Sequence, residues 1–248
     1  MNRDRLSAIA HLDHPVAAPL SDSTVDALLR RIAARAPGTV LDAGCGSAQW
    51  LVRLLELTDS ARGVGVDLSA DAVAAAQAFA RSRGVEDRIE IRQQDATAIG
   101  DERYDGLLCI GSTHAFGGLA PTLQALHARA RPGACAMIGD GFWQRPPGQP
   151  ALDALDATAD EFPSYAGLVA TVESAGWAPT HVHVSTEQEW DDYEWSWISS
   201  LTRWARTHLD DADAADGLAF ARRHQRQWLN GYRGTLGFAV VIAEKIES

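Results

Sequence analysis

Lysine is nearly absent from this chain. Lys245 is the only one among 248 residues, and the remaining basic side chains are arginines. A phosphate-binding loop of the G-x-x-x-x-G-K type is thereby excluded, and a Schiff-base lysine so near the end of the sequence is not expected. Cysteine is scarce as well. Cys45, Cys109 and Cys135 stand far apart with no C-x-x-C pair, which argues for reduced, buried thiols rather than a disulfide frame or a zinc site. Long apolar runs are missing. The longest, "LGFAVVIA" at 236–243, is far too short for a membrane-spanning helix. The opening "MNRDRLSAIAHLDHP" carries His and Asp where a secretory leader needs an apolar core, so a cytoplasmic protein is expected. Positive charge is also in deficit. A net charge of −11 disfavours nucleic acid or an anionic membrane surface as partner.

What is present alternates. Apart from the loop "QRPPGQP" and the acidic run 210–216, read as a solvated capping loop, most of the chain reads as strands and helices. Ser21 or Ser23 caps a helix that Pro37-Gly38 stops; "TVLDA" is a buried strand, followed by a helix from Ser47 to about Thr58. "RGVGVD" is a second strand ending at Asp67, and Ser69 caps the next helix, stopped by Gly84. "RIEIRQQD", "YDGLLCIG" and "GACAMIGD" are three further strands, the fifth opened by a turn at Arg131-Pro132-Gly133. Two short helices are expected at about 152–161 and 164–175, then a sixth strand "THVHVST", a helical stretch over 187–231 and a seventh strand "GTLGFAVVIAEK". Strands alternating with helices imply right-handed crossovers and a mainly parallel sheet covered on both faces, with ligands beyond the carboxyl ends of the strands.

The stretch "VLDAGCGSAQW", 40–50, runs from strand through Gly44 and Gly46 into a helix. Glycine lets the main chain turn sharply and approach a ligand closely, and a helix start offers free N–H groups. Dinucleotides and S-adenosylmethionine both use such a turn. The dinucleotide fingerprint wants a third glycine where Gln49 stands. Asp67, at the end of the second strand, serves either ligand by accepting ribose hydroxyls.

With these residues in place, the chain resembles the class I S-adenosylmethionine-dependent methyltransferases, over nearly its whole length and most strongly over 37–140. "VLDAGCGSA" is similar to that family's first motif, with Ala48 where many members have glycine. "GVDLS" is similar to the second-strand motif, "QQDA" to the third and "RPGACAMIGD" to the fifth. The resemblance implies an α/β, Rossmann-like fold of seven mostly parallel strands, the last antiparallel, as one methyltransferase domain over 1–248. Cap helices are expected over 1–36, and a helical lid over the active face at 186–232. It implies S-adenosyl-L-methionine held by Asp42, Gly44, Gly46, Asp67, Leu68, Asp95, Ala96 and Gly111. Asp42 would face the α-ammonium, Asp67 the ribose and Asp95 the adenine amino group.

In "CIGSTHAFGG", His114 is the candidate base, since an imidazole suits proton removal near neutrality. Asp140, Tyr193 and Glu194 are further candidates. Phe116, Phe142, Trp143, Tyr193 and Trp197 are expected around the acceptor. Trp190, Trp197 and Trp204 recur every seven residues, which fits one buried helical stripe, with most of the Trp packing the insertion. His11 and His14 belong to the cap. His181 and His183 share a face of the sixth strand without a third ligand, and no metal is expected. Asn-Pro-Pro-Tyr, Pro-Cys and Lys-Asp-Lys-Glu patterns are all absent, and the fourth strand ends in Gly-Ser rather than Asp. The expected activity is methyl transfer to an N or O nucleophile of a small metabolite. Alternatives are a non-methylating S-adenosylmethionine-binding protein and a nicotinamide-dependent oxidoreductase. The oligomeric state is not readable.

Overall fold

The computed structural model describes residues 3–246. In chain order these form α1 (Arg3–Ala10), α2 (Asp22–Ala33), β1 (Thr39–Ala43), α3 (Gln49–Glu56), β2 (Arg62–Asp67), α4 (Ala70–Ser82), β3 (Ile89–Gln93) and β4 (Tyr104–Ile110). There follow α5 (Leu119–Arg129), β5 (Ala130–Trp143), α6 (Gln149–Leu155), α7 (Tyr165–Ser174), β6 (Trp177–Val184), α8 (Glu187–Thr207), α9 (Ala214–Gln227) and β7 (Leu236–Lys245). The seven strands make one sheet in the order β3-β2-β1-β4-β5-β7-β6. Strands β1 to β5 pair in parallel in the neighbouring pairs β3-β2, β2-β1, β1-β4 and β4-β5, and β7 runs antiparallel to β6. The expected mostly parallel sheet with a reversed last strand is therefore present.

Long-range packing divides the chain into two compact units. The larger comprises Ser21–Asp140, Ala166–Val184 and the residues from Ala239 onward, and holds most of the sheet. Its core is the apolar inner strands: Val40, Leu41, Leu107, Leu108, Ala136 and Val240 are completely buried. Continuous apolar runs suit strands covered on both faces. Ser21 caps α2 and Ser69 caps α4, each accepting a main-chain N–H three residues on. All three cysteines are buried and unpaired with each other.

Three boundaries depart from the sequence reading. The Arg131-Pro132-Gly133 turn lies within β5 as a register shift, with Ala130 already paired to Tyr104 and Cys135 to Gly106. Strand β6 starts at Trp177, ahead of Pro179, because β6 is an edge strand where a missing N–H costs no ladder bond. Helix α6 starts earlier than expected, with Pro150 in its first turn, and stops at Asp156, which takes the left-handed conformation at φ 51°.

The smaller unit comprises the residues up to Leu20, Gly141–Tyr165 and Ser185–Phe238. Helices α1, α8 and α9 build its core, where Ile9, Ala10, Leu201 and Ala221 are buried and Leu6, Trp197, Trp204 and Phe220 pack on them. The expected single tryptophan stripe is two clusters. Trp197 and Trp204 belong to this core, whereas Trp190 stacks on Trp228 with ring centres 5.6 Å apart and meets Tyr193 and Tyr232 edge-on. Seven residues on an α-helix drift by about 20° from a true repeat, enough to aim successive rings at different neighbours. The acidic run 210–216 is not merely solvated: Arg5 bridges Asp211 at 2.5 Å and Asp213 at 2.6 Å.

Helix α8 opens on a capping box. The Thr186 hydroxyl accepts from Glu189 N at 3.1 Å, and the Glu189 carboxylate accepts from Thr186 N at 2.9 Å. Thr186→Ala removes half of it and is expected to lower stability by about 1 kcal/mol. Urea unfolding checks this; a change below about 0.3 kcal/mol contradicts it. Among the described residues no helix is long and apolar enough to cross a membrane.

Candidate active site

The turn after β1 is held from three sides. Gly44 N and Cys45 N both donate to Val66 O at 2.9 Å. Ser112, just past β4, is buried and donates from Oγ to Ala43 O at 2.8 Å. Gly46 N donates to Asp67 Oδ2 at 2.8 Å, while Asp67 Oδ1 accepts from Ser69 N at 2.9 Å. Gly44 has φ +77°, and a Cβ there would lie 2.5 Å from both Cβ and Oγ of Ser112. Gly46 has φ +52°, and a Cβ there would meet nothing within 4 Å. The first glycine is demanded by packing within the protein; the second leaves open space. Ala48 is also left-handed, at φ 57°, and precedes α3, whose start has no side-chain cap. The first N–H groups of that helix therefore depend on something other than a capping side chain.

Asp42 sits at the penultimate position of β1. It is 2% exposed and its Oδ2 has no hydrogen-bond partner among the described residues. Burial, reinforced by the nearby charge of Asp67, pushes its carboxyl up to about 7. Leaving an acceptor unpaired at such a place costs about 1–3 kcal/mol, and a cationic ligand would reverse that penalty. Burial also raises the Cys45 thiol far above its ordinary value, so this cysteine is no nucleophile.

The other expected cofactor residues lie on the same unit. Leu68, directly after Asp67, is 70% exposed, an unusual fraction for a large apolar side chain. Asp95 ends the turn after β3; its Oδ1 accepts from Thr97 N at 2.8 Å and Thr97 Oγ1 at 2.7 Å, which holds its carboxyl below the usual range. Ala96 is buried and shares with Phe116 a small cavity of about 30 Å³, also walled by Leu41 and Leu126. Gly111, at φ +71°, donates to Gly139 O at 2.9 Å and so ties the residue after β4 to the interior of β5.

His114 is exposed on the 3-10 turn Thr113–Phe116, and its ring makes no hydrogen bond among the described residues. That turn is anchored by side chains the sequence reading passed over. Thr113 Oγ1 donates to Asp140 Oδ2 at 3.0 Å, and Thr122 Oγ1 donates to Thr113 O at 3.2 Å. The signal was there, a Ser-Thr pair directly after the glycine that follows β4, but short hydroxyl residues are too common in turns to single out unaided.

The smaller unit carries the remaining candidates, each with a partner of its own. Trp143 is 7% exposed, donates from Nε1 to Ala159 O at 2.9 Å and meets Phe162 edge-on. Phe142 is buried against Tyr165. Trp197 lies 4.1 Å, centre to centre, from the ring of His224. Tyr193 OH is 3.1 Å from His11 Nε2, and the His14 ring stands edge-on to Tyr193. Glu194 is buried, with His224 Nε2 at 2.5 Å and Tyr232 OH donating to it at 2.8 Å. A carboxylate so engaged is structural first, since breaking a buried pair strands its charge. On β6, His181 is held below the ordinary imidazole value by burial, Arg31 and His183. Among the described residues no group of three His, Cys, Asp or Glu side chains is placed to hold a metal ion.

A parallel sheet with a glycine turn after its first strand and an acid ending its second defines a nucleoside-cofactor enzyme of the Rossmann-like class. The family model described as a methyltransferase domain matches residues 40–133. The Escherichia coli (strain K12) protein YjhP is 26% identical over 97% of this chain and 98% of its own length. The crystal structure of a SAM-dependent methyltransferase from Geobacter sulfurreducens, in complex with S-adenosyl-L-homocysteine, superposes with a TM-score of 0.87 at 25% identity, covering 97% of this chain and 98% of that one. The corresponding protein from Thiobacillus denitrificans has the same fold, with a TM-score of 0.87 at 24% identity over 99% of this chain and 100% of that one. Residues 40–133 thus match a methyltransferase domain, and the chain as a whole has the fold of S-adenosylmethionine-dependent methyltransferases.

Proposed function

We propose that this enzyme transfers the methyl group of S-adenosylmethionine to an N or O nucleophile of a small metabolite. The observation that carries the cofactor placement is the buried, unpartnered Oδ2 of Asp42 beside the turn at Gly44 and Gly46. Asp42 would take the cofactor's α-ammonium. Asp67 would accept from the ribose hydroxyls with the lone pairs its two main-chain bonds leave over, and Leu68 would face the adenine ring. Asp95 would accept from the adenine amino group, while Ala96 and Gly111 allow close main-chain approach. When bound, S-adenosylmethionine supplies a methyl group already activated by the adjoining sulfonium. The protein's task is then alignment and exclusion of water.

A small acceptor fits the net charge of −11, which disfavours a nucleic-acid acceptor. His114 would remove a proton where the acceptor begins protonated, and Phe116 would bound the acceptor on the same unit. Acceptor contacts from Trp143, Tyr193 and Trp197 are proposed on the resemblance and on connectivity, since Trp143 ends β5 and the helix bearing Tyr193 and Trp197 follows β6 in the chain. Calorimetric titration with S-adenosylhomocysteine, with NAD as control, tests the cofactor assignment. Binding of the former alone is expected, and its absence from the folded protein overturns the reading. Release of S-adenosylhomocysteine during an acceptor screen separates methyl transfer from mere cofactor binding. On the acceptor so found, His114→Ala is expected to lower kcat by about 10²–10⁴-fold with cofactor affinity unchanged. Unchanged turnover ends its role as base.

A further inference from the structure

The amino ends of the strands carry a groove that the methyl-transfer site does not use. Its volume is about 580 Å³, within the range of small-ligand sites. Five arginines line it, Arg62, Arg88, Arg92, Arg103 and Arg131, against three acids, Asp87, Glu90 and Glu102. In a chain of net charge −11 this is a local reversal of sign.

The partners of these arginines separate structural charge from available charge. Arg92 is clasped by Glu90 at 2.8 Å and Glu102 at 3.1 Å, which accounts for two of the three acids. Arg131 donates to Asp105 Oδ2 at 2.9 Å and to Thr39 Oγ1 at 3.1 Å. The other three donate to main-chain carbonyls: Arg62 to Asp87 O at 3.3 Å, Arg88 to Thr58 O at 2.6 Å, and Arg103 to Ala128 O at 3.1 Å. A carbonyl orients a guanidinium without cancelling its charge, and each guanidinium keeps further N–H donors in a planar fork that matches phosphate oxygens. The groove therefore presents three guanidinium groups at the starts of several strands, Arg62, Arg88 and Arg103, against the one remaining acid, Asp87, more positive charge than a single phosphate calls for.

Its position makes it independent of the cofactor. Thr39, Arg62, Ile89 and Tyr104 are the first residues of β1, β2, β3 and β4, whereas the glycine turn follows the last residue of β1. A five-residue strand places these ends about 13 Å apart or more.

We propose that this groove binds a phosphorylated small molecule bearing at least two phosphate groups, simultaneously with the cofactor. The probes are inorganic pyrophosphate and ATP, titrated calorimetrically at low salt into the full chain, alone and with saturating S-adenosylhomocysteine. One site is expected, weakened by added salt and unaffected by S-adenosylhomocysteine. Arg62→Gln/Arg103→Gln is expected to weaken pyrophosphate at least tenfold while leaving S-adenosylhomocysteine affinity unchanged, which also reports that the variant is folded. Each single variant is expected to show a smaller loss and serves if the double variant does not fold. Tighter binding of ATP than pyrophosphate identifies a nucleotide as the ligand; equal binding identifies the polyphosphate alone. No pyrophosphate binding, equal binding to the variants, or displacement by S-adenosylhomocysteine overturns the proposal. Failure of S-adenosylhomocysteine to bind, with pyrophosphate still bound, would instead count against the cofactor reading.

Discussion

Gly44→Ala lowers stability by about 2–5 kcal/mol and abolishes S-adenosylhomocysteine binding, whereas Gly46→Ala loses only about 1–2 kcal/mol and still fails to bind. These expected results differ because the two glycines answer to different neighbours. At Gly44 a methyl group falls 2.5 Å from two atoms of the buried Ser112 side chain, at φ +77°. Ser112 cannot swing away without giving up its bond to Ala43 O. Overpacking costs about 1–3 kcal/mol, and a left-handed non-glycine adds about 1–2 kcal/mol. At Gly46 the same methyl meets nothing within 4 Å, so the left-handed backbone term of about 1–2 kcal/mol stands alone. What the methyl does occupy is the space proposed for the cofactor. Urea unfolding and calorimetry with S-adenosylhomocysteine check both variants. Ser112→Gly, combined with Gly44→Ala, should restore part of the stability by removing the clash while the backbone strain persists. A Gly44→Ala protein within 1 kcal/mol of wild type, or a Gly46→Ala protein that binds normally, contradicts the account.

The second large effect belongs to Asp42. Its carboxyl is raised to about 7 in the folded protein, chiefly by burial and then by Asp67, from an ordinary value of 3.8. A group raised on folding holds its proton more tightly in the native state than in the unfolded chain. Its contribution is fully present below the unfolded value and is lost as pH rises through the folded one. Between pH 5 and pH 8 the ligand-free protein is expected to lose on the order of 2 kcal/mol from this residue. Asp42→Asn, which cannot ionise, should lack that part of the pH dependence. Binding runs the other way. A ligand ammonium favours the ionised carboxylate, so S-adenosylhomocysteine affinity should rise from pH 6 to pH 8 in the wild type and stay low and flat in Asp42→Asn. Denaturant melts across pH, paired with calorimetry, read both slopes. Parallel stability profiles for wild type and variant would show that Asp42 is ionised throughout.

Much of this was legible in the chain, for reasons that can be assigned to particular residues. The strand "TVLDA", the glycines after it and Asp67 at the end of β2 are local signals, since a buried strand must be apolar and a left-handed turn favours glycine. Ser21 and Ser69 announced their helices because capping acts over three residues. The roles of Gly44 and Gly46 looked alike in sequence and were separated only by what stands across from each. Ser112 is sixty-eight residues from Gly44, and no local pattern announces the contact. The same holds for the tryptophans of α8, whose spacing fitted one stripe while their neighbours on α1, α9 and the turn at Trp228–Tyr232 divide them in two.

The sequence by itself determined the fold class, the mainly parallel sheet and the glycine turn after its first strand, because each rests on periodicity, caps and glycines acting within a few residues. Only the tertiary structure decided that Asp42 keeps an unpaired buried oxygen, that His114 is exposed on a turn anchored through Thr113 to Asp140, and that arginines from distant strands converge on one groove. Burial, charge coupling and steric contact are sums over neighbours brought together by folding, and neighbours in space are not written next to one another in the chain.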